Sequence, residues 1–173
     1  DFHPPQNFNI QPISDSDQDF ILNAFQAITK EQIIFSDEIR LSSALGKSYY
    51  DVIRIFKNDQ LEVPDVVLRP NNHEEVQTII SAAEQHNITI VPIGGRSNVV
   101  GALTIDSNEK RKIAYLDLTR MSKLLSIDEV NMVATFQAGV YGPHLEEQLK
   151  PYCLTLGHFP QSFEYSTLGG WVV

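Results

Sequence analysis

Residues 91–101 form a glycine-rich stretch whose residue types could bind phosphate. An apolar run at residues 88–91 leads into it, and Gly94 and Gly95 are adjacent. Adjacent glycines let successive backbone N–H groups point into one concavity without a Cβ in the way, and such concavities bind phosphate oxygens. A Gly-Gly pair after a strand is also an ordinary turn, so this stretch alone leaves both interpretations open.

A second stretch rich in small residues and hydroxyl groups, 157–171, lies about seventy residues later. Its chemistry is similar, so the two stretches could form opposite walls of one site. Arg96 is the cation of the first stretch, and it could either face solvent or bind a phosphate or carboxylate with its guanidinium. The sequence therefore predicts two walls suited to an anion and leaves the role of Arg96 open.

Other kinds of site fit the sequence poorly. A Rossmann site needs Gly-x-Gly-x-x-Gly before a helix, and although Asp117 lies at a suitable distance to be its acidic residue, the glycine spacing is wrong. A P-loop needs Gly-Lys-Ser/Thr, and a hydrolase of the Ser-His-Asp type needs Gly-x-Ser-x-Gly, and neither motif occurs. The five histidines lack metal-ligand spacing. His158, in the second stretch, fits a loop residue bonded to backbone better than a catalytic group.

Composition narrows the class of protein. The 173 residues suit one domain, or one domain with an N-terminal appendage, and a formal net charge of −9 argues against nucleic-acid binding. An acidic chain can still bind an anionic cofactor through backbone N–H groups and helix N-termini. No apolar run approaches the roughly 20 residues of a membrane span. Cys153, the single cysteine, has apolar neighbours that predict a buried, inert thiol.

The elements that position the two stretches follow from periodicity and capping signals. We predict an extended arm over residues 1–13, a helix that starts after Ser14 and ends near Lys30, and a second helix over 38–45 closed by Gly46. A β-like run follows at 51–56. From Pro64 the pattern becomes regular. The later predicted elements are a strand at 65–69, a helix capped by Asn72 and Glu75 and ended by Asn87, strands at 88–91, 113–118, 124–127 and 132–138, and a helix from Gly142 to Pro151. Strand runs separated by few helices favour the α+β class.

Several segments, in this order, carry a resemblance to a known family. They are Pro64-Asp65-Val66-Val67 with Pro70, the helix from His73, Ile90-Val91-Pro92-Ile93-Gly94-Gly95, residues 117–121, Gln137-Ala138-Gly139-Val140, and Ser166-Thr167-Leu168-Gly169-Gly170. Together they resemble the FAD-binding domain of the vanillyl-alcohol-oxidase (PCMH-type) flavoproteins. Residues 157–167, Arg40-Leu41, Gly46-Lys47-Ser48 and Asp51 are similar to the alkyldihydroxyacetonephosphate synthase branch and its bacterial relatives.

The resemblance implies a PCMH-type α+β fold with two small α/β subdomains that grip FAD. It divides the chain into an N-terminal arm and helix (1–34), a lead-in segment (35–63) and the FAD-binding domain (64–173), which would hold the first subdomain and the start of the second. The first wall would cradle the pyrophosphate, and the second would line the flavin. The implied FAD-binding residues are Pro92, Ile93, Gly94, Gly95, Arg96, Ser97, Asn98, Pro160, Gln161, Ser162, Ser166, Thr167, Gly169 and Gly170.

The sequence departs from the family pattern in ways that shape the expectation. Arg96 stands where the branch has glycine, and the loop lacks the histidine that bonds FAD covalently in other members, so FAD binding is expected to be noncovalent. The family's catalytic residues lie beyond the position of Val173. The chain is therefore expected to be an N-terminal fragment, incomplete at its C-terminal end, without catalytic or metal-binding residues and inactive by itself.

The resemblance implies a function only for a full-length parent. That parent would be a flavoprotein transferase of ether-lipid synthesis, which exchanges an acyl for an alkyl group on acyl-dihydroxyacetone phosphate without net redox. Two alternatives stay open: an FAD-dependent oxidase or D-2-hydroxyacid dehydrogenase, and a cofactor-free scaffold module. The expected partners are FAD and a lipid-like substrate, with peripheral membrane association and a homodimer as options for the parent. A bacterial parent would be cytoplasmic and a eukaryotic one peroxisomal.

Overall fold

The computed structural model describes residues 10–57, 61–106 and 108–173, so most of the predicted arm, residues 1–9, lies outside the described part. The helices are α1 (Asp15–Ala24), α2 (Asp37–Ala44), α3 (Tyr49–Lys57), α4 (His73–Gln85), α5 (Gly142–Leu149) and α6 (Leu168–Val172). The strands are β1 (Ile33–Ile34), β2 (Val66–Leu68), β3 (Thr89–Ile93), β4 (Ile113–Asp117), β5 (Leu124–Asp128) and β6 (Val133–Phe136). The expected mixed α+β class is confirmed.

A four-stranded sheet, in the order β1-β2-β4-β3, carries the first part of the chain. β1 runs antiparallel to β2, whereas β2, β4 and β3 are parallel. Both faces of the parallel strands are covered, which explains why β2 and β4 are apolar without alternation. Ile21, Phe25 and Ile79 pack with one face of the sheet, and Leu103 packs with the other.

The register of β3 and β4 determines where the first glycine-rich stretch begins. Ile93 lies opposite Asp117, so both strands end at the same edge of the sheet. β3 continues through Pro92, two residues further than predicted. Pro92 is tolerated because β3 is an edge strand of the sheet, where a missing N–H costs little.

The later part of the chain forms an antiparallel hairpin of β5 and β6, which packs with α5 around a second core. Val140, Leu145 and Leu149 are buried at its centre, and Leu168 and Trp171 pack against them. Two backbone hydrogen bonds attach α6 to the segment that follows β6: Leu168 N–H donates to Val140 O, and Gly169 N–H donates to Ala138 O. These bonds set the position of the second small-residue stretch.

The predicted helix capped by Asn72 and Glu75 is confirmed as α4. α4 is capped by Asn72, whose side chain accepts from Glu75 N, and the chain turns away after the helix through Asn87, which has a left-handed φ of 54°. The predicted helices at 38–45 and 142–151 and the strands at 65–69, 113–118, 124–127 and 132–138 are also present, with ends shifted by a few residues.

Three element predictions are wrong. α1 ends at Ala24 and not near Lys30, because Phe25 leaves the helical conformation. Residues 51–56 belong to a helix, since Ser48 Oγ accepts from Asp51 N while the Asp51 carboxylate accepts from Ser48 N, and this reciprocal capping outweighs the β-propensity of the run. Gly46 is not a left-handed cap of α2, because Leu45 is already extended.

Cys153 is exposed and not buried as predicted. It lies in a left-handed conformation, φ 56°, directly after a short 3₁₀ turn, which places it at the surface. The division of the chain at residues 34/35 and 63/64 stays a prediction. No helix in the described ranges is long and apolar enough to cross a membrane.

Candidate cofactor site

The two glycine-rich stretches meet directly beyond the end of β3. A Cβ built on Gly95 would lie 1.8 Å from Tyr165 O, and one built on Gly94 would lie 2.3 Å from Thr167 Oγ1. Both distances are far shorter than real contacts, so only glycine permits this approach. The structure therefore brings together the two walls that the sequence predicts.

The backbone N–H groups of residues 94–98 do not donate to any acceptor in the described part of the chain. The loop is held instead by other groups: Lys47 N–H donates to Asn98 O at 2.8 Å, and Ala102 N–H donates to Asn98 Oδ1 at 3.0 Å. Amides left free in this way can bind an anion. This arrangement fits the pyrophosphate of FAD without requiring lysine.

A cavity of about 410 Å³ opens between the two walls, a size within the range of small-molecule sites. Its lining includes no aspartate or glutamate, so it does not oppose a negative ligand. Eleven of the fourteen residues predicted from the resemblance line it: Pro92, Ile93, Gly94, Gly95, Arg96, Ser97, Asn98, Ser166, Thr167, Gly169 and Gly170. Pro160, Gln161 and Ser162 do not.

Sequence reasoning missed Ala102, Leu103, Leu118, Ala138 and Val173, which complete the lining. Leu103 is held by Tyr115, whose hydroxyl donates to Leu103 O at 2.8 Å. Burial raises the pKa of this hydroxyl well above its ordinary value. The pairing of Ile93 with Asp117 brings Leu118 to the site. That pairing could be found from the sequence only by predicting that β4 lies beside β3.

The hydroxyl of Ser166 is used within the protein. Trp171 Nε1 donates to Ser166 Oγ at 2.6 Å, and Ser166 Oγ donates to Ser162 O at 2.8 Å. Ser162 has a left-handed φ of 57°, which bends the stretch between the two residues. Ser166 thus shapes the second wall and its donor is not available to a ligand in this arrangement.

A second cavity, of about 790 Å³, lies against the same loop and shares Gly95, Arg96 and Ser97 with the first. It reaches Ser162 and also has charged and aromatic lining residues: Lys47, Tyr141, His144, Glu164 and Tyr165. Burial raises the pKa of the Tyr141 hydroxyl, while the positive Arg96 opposes that rise. Residues 95–97 therefore line both cavities.

The Arg96 side chain has a partner that the sequence does not suggest. Its Nη1 donates to Ser42 O at 2.8 Å, at the C-terminal end of α2. Its backbone has a φ of 56°, in the left-handed region that favours glycine. A glycine would adopt this conformation with less strain than an arginine does.

Other residues considered from sequence have structural partners. Asp117 accepts from Arg69 Nε at 2.9 Å and from Thr119 N at 3.0 Å. These bonds give its carboxylate a structural role, in place of the ribose contact that a Rossmann site would require. His158 is exposed, and its ring meets Trp171 edge-on at 5.9 Å between centroids. Within the described ranges, no group of three or more His, Cys, Asp or Glu side chains is placed to hold a metal ion.

Comparison with known proteins gives the site a family. Residues 64–173 match the family described as FAD binding domain. An alkyldihydroxyacetonephosphate synthase of Dictyostelium discoideum is 43% identical over 133 residues, which are 77% of this chain and 22% of that protein. The protein of that name from Trypanosoma brucei brucei is 38% identical over 156 residues, which are 90% of this chain and 25% of that protein. The chain therefore spans about a quarter of the length of these relatives.

A solved structure described as alkyldihydroxyacetonephosphate synthase superposes with a TM-score of 0.88 at 37% identity, over 96% of this chain and 31% of that one. Oxidoreductases are also among the relatives. An uncharacterized FAD-linked oxidoreductase of Escherichia coli is 31% identical over 153 residues, which are 88% of this chain and 29% of that protein.

Proposed function

Because this chain belongs to the FAD binding domain family, we propose that its two glycine-rich walls hold FAD without a covalent bond. The observation that supports this proposal is that the N–H groups of residues 94–98 have no acceptor in the described part of the chain. Gly94 and Gly95 pack this loop against Thr167 and Tyr165 of the other wall. The pyrophosphate binds to these amides. The proposed contacts are Pro92 to Asn98 on one side and Ser166, Thr167, Gly169 and Gly170 on the other.

Pro160, Gln161 and Ser162 belong to the proposed site through the second cavity. Ser162 lines that cavity, which shares residues 95–97 with the first. An extended cofactor that passes residues 95–97 contacts both cavities. In this proposal the diphosphate lies against the loop amides, and the ring system reaches toward Ser162 and its neighbours Pro160 and Gln161.

The loop chemistry supports noncovalent attachment. Residues 92–98 include no histidine, cysteine or tyrosine that could bond to the flavin ring. His158 lies in the other wall, and its ring is against Trp171. Denaturation of the parent is expected to release all of its FAD.

For the full-length parent we propose alkyldihydroxyacetonephosphate synthase activity. The support is the 43% and 38% identity to two proteins of that name, against 31% for the oxidoreductase relative. Acyl-dihydroxyacetone phosphate and a long-chain alcohol would give alkyl-dihydroxyacetone phosphate and a fatty acid. FAD supplies the reactive ring for this exchange, while the residues of this chain bind and orient it.

An FAD-linked oxidoreductase is the second candidate, and the Escherichia coli relative favours it. The cofactor-free scaffold has less support, because the Arg96 guanidinium is engaged at Ser42 O and the loop amides are unblocked. Peripheral membrane association, a homodimer and a lipid-like substrate belong to the proposed parent. We propose a cytoplasmic location for a bacterial parent and a peroxisomal one for a eukaryotic parent.

Product analysis separates the two enzyme candidates. The purified full-length parent is incubated with acyl-dihydroxyacetone phosphate and deuterated hexadecanol, and lipids are analysed by mass spectrometry. The synthase proposal predicts a deuterated ether product with no electron acceptor present. If D-2-hydroxyacids reduce an acceptor dye and no ether product forms, the synthase proposal is wrong and the oxidoreductase proposal is supported.

A further inference from the structure

The C-terminal end of α2 lacks the local groups that usually satisfy a helix end. Its last turn has no basic residue, and Leu45 is extended. Gly46 is not among the described glycines with positive φ, so no left-handed cap forms there. The last four carbonyls of a helix have no intrahelical partner, and they carry its partial negative charge. A donor from elsewhere in the chain can therefore stabilise this helix end.

Arg96 supplies that donor from 54 residues away. Its Nη1 donates to Ser42 O at 2.8 Å, which places a positive charge at the negative end of the helix. The guanidinium comes from the loop of free amides, directly after Gly94 and Gly95. The side chain thus connects the C-terminal end of α2 to the proposed phosphate loop.

A second hydrogen bond runs the other way between the same two segments. Lys47 N–H donates to Asn98 O at 2.8 Å. Gly46 lies so close that a Cβ built on it would be 3.0 Å from Asn98 Nδ2 and 3.1 Å from Asn98 O. Residues 96–98 are therefore bound to residues 42–47 at both ends.

We propose that Arg96 is a positioning residue, which holds the loop of residues 94–98 on the C-terminal end of α2. Residues 42–47 consequently belong to the cofactor site, although they precede the family match at residues 64–173. The connection between the segments is independent of any ligand. Its consequence for FAD affinity rests on the proposed function.

Hydrogen–deuterium exchange of the full-length parent, freed of FAD, tests the connection. Arg96→Met keeps the side chain's bulk but removes the donor, and Arg96→Lys retains a charge with a single donor group. Arg120→Met is the matched control, because Arg120 is exposed and lines neither cavity. We expect exchange at residues 42–47 to rise about tenfold in Arg96→Met, the effect of losing one charged hydrogen bond. Arg96→Lys should recover part of it, and Arg120→Met should match the wild type.

The FAD-loaded parent provides the second readout. Arg96→Met should release FAD about tenfold faster than the wild type, in proportion to the rise in exchange. Unchanged exchange at residues 42–47 would overturn the proposal even if FAD affinity falls, because Arg96 would then be a direct phosphate ligand. If Arg96→Met does not fold, exchange in Arg96→Lys decides, and no rise there overturns it. A wild-type parent without FAD would refute the proposed function, while raised exchange would still support the connection.

Discussion

At the scale of single residues, Gly95 is a position where the geometry permits little change. Any side chain there would meet Tyr165 O, a backbone atom that cannot rotate away. The sequence indicates that Gly94 and Gly95 matter, because adjacent glycines after a strand allow a close approach. It does not identify Tyr165 and Thr167 as the groups approached, since these lie about seventy residues later in the chain.

We predict that Gly95→Ala destabilises the chain by about 3 kcal/mol, because the methyl group forces the two walls apart. Thermal melting of this chain measures the loss. Gly170→Ala is the matched control from the second wall, where a Cβ would lie 3.5 Å from Thr167 Oγ1, an ordinary contact. It should melt at or slightly above the wild-type temperature, since alanine favours a helix. Equal melting of both variants would contradict the packing described.

Arg96 shows what a single sequence does not reveal at this scale. Its charge suggested either exposure to solvent or a contact with phosphate or carboxylate, and nothing in the sequence indicates the main-chain carbonyl of α2 to which it donates. A carbonyl has no signature in the sequence, and the need for a cap at α2 follows only from the conformations of Leu45 and Gly46.

At the scale of elements, local capping decided which predictions held. α4 was predicted because both its Asn72 cap and its apolar spacing are local signals. α3 was mistaken for a strand because its apolar residues are nearly consecutive, while the signal that decides, Ser48 with Asp51, lies in its first turn. This helix directly follows residues 42–47, which are hydrogen-bonded to the phosphate loop, so the start of the helix affects the site.

We predict that Ser48→Ala destabilises the chain by about 1 kcal/mol, as expected for the loss of an N-cap. Ser48 Oγ accepts from Asp51 N and donates to Asp51 Oδ2 at 2.6 Å, and both bonds are buried. Ser36→Ala is the control, because Ser36 is the N-cap of α2 without a side-chain cap bond. Urea denaturation should separate the two variants, and an equal loss in both would refute the capping role.

The contact between α1 and Lys112, the residue before β4, should depend on pH. Lys112 Nζ lies 2.8 Å from Asp17 Oδ2, and this hydrogen bond, with a second from Ser14, lowers the pKa of Asp17 below its ordinary value of 3.8. A lowered carboxyl pKa stabilises the fold above the ordinary value, and the stabilisation is lost as pH falls through the depressed pKa.

Asp17→Asn should therefore cost about 0.5 kcal/mol at pH 7, a value reduced by solvent screening of this partly exposed pair. The difference from the wild type should shrink below about pH 3.8 and vanish under still more acidic conditions. Melting curves from pH 7 to pH 2 measure it. Asp15→Asn, in the same first turn of α1, controls for the helix dipole, and a pH-independent loss in Asp17→Asn would contradict the pairing.

At the scale of the whole molecule, the site depends on how two packed units meet. The parallel sheet presents the loop after β3, and the unit around the hairpin presents residues 166–170. Most of the glycines and hydroxyls of the proposed site could be predicted from sequence, since small residues in loops are visible there. Leu118 and Ala138 could not, because apolar lining residues resemble any other core residue until the strand order β1-β2-β4-β3 is known.

The visible absorption spectrum of the full-length parent tests the central claim most directly. The protein is desalted, its spectrum is recorded, and it is then denatured and filtered to separate free from protein-bound flavin. We predict flavin bands that survive desalting and pass entirely into the filtrate after denaturation, because the loop amides hold FAD without a covalent bond. A folded but colourless protein, or flavin retained with the denatured chain, would contradict the account.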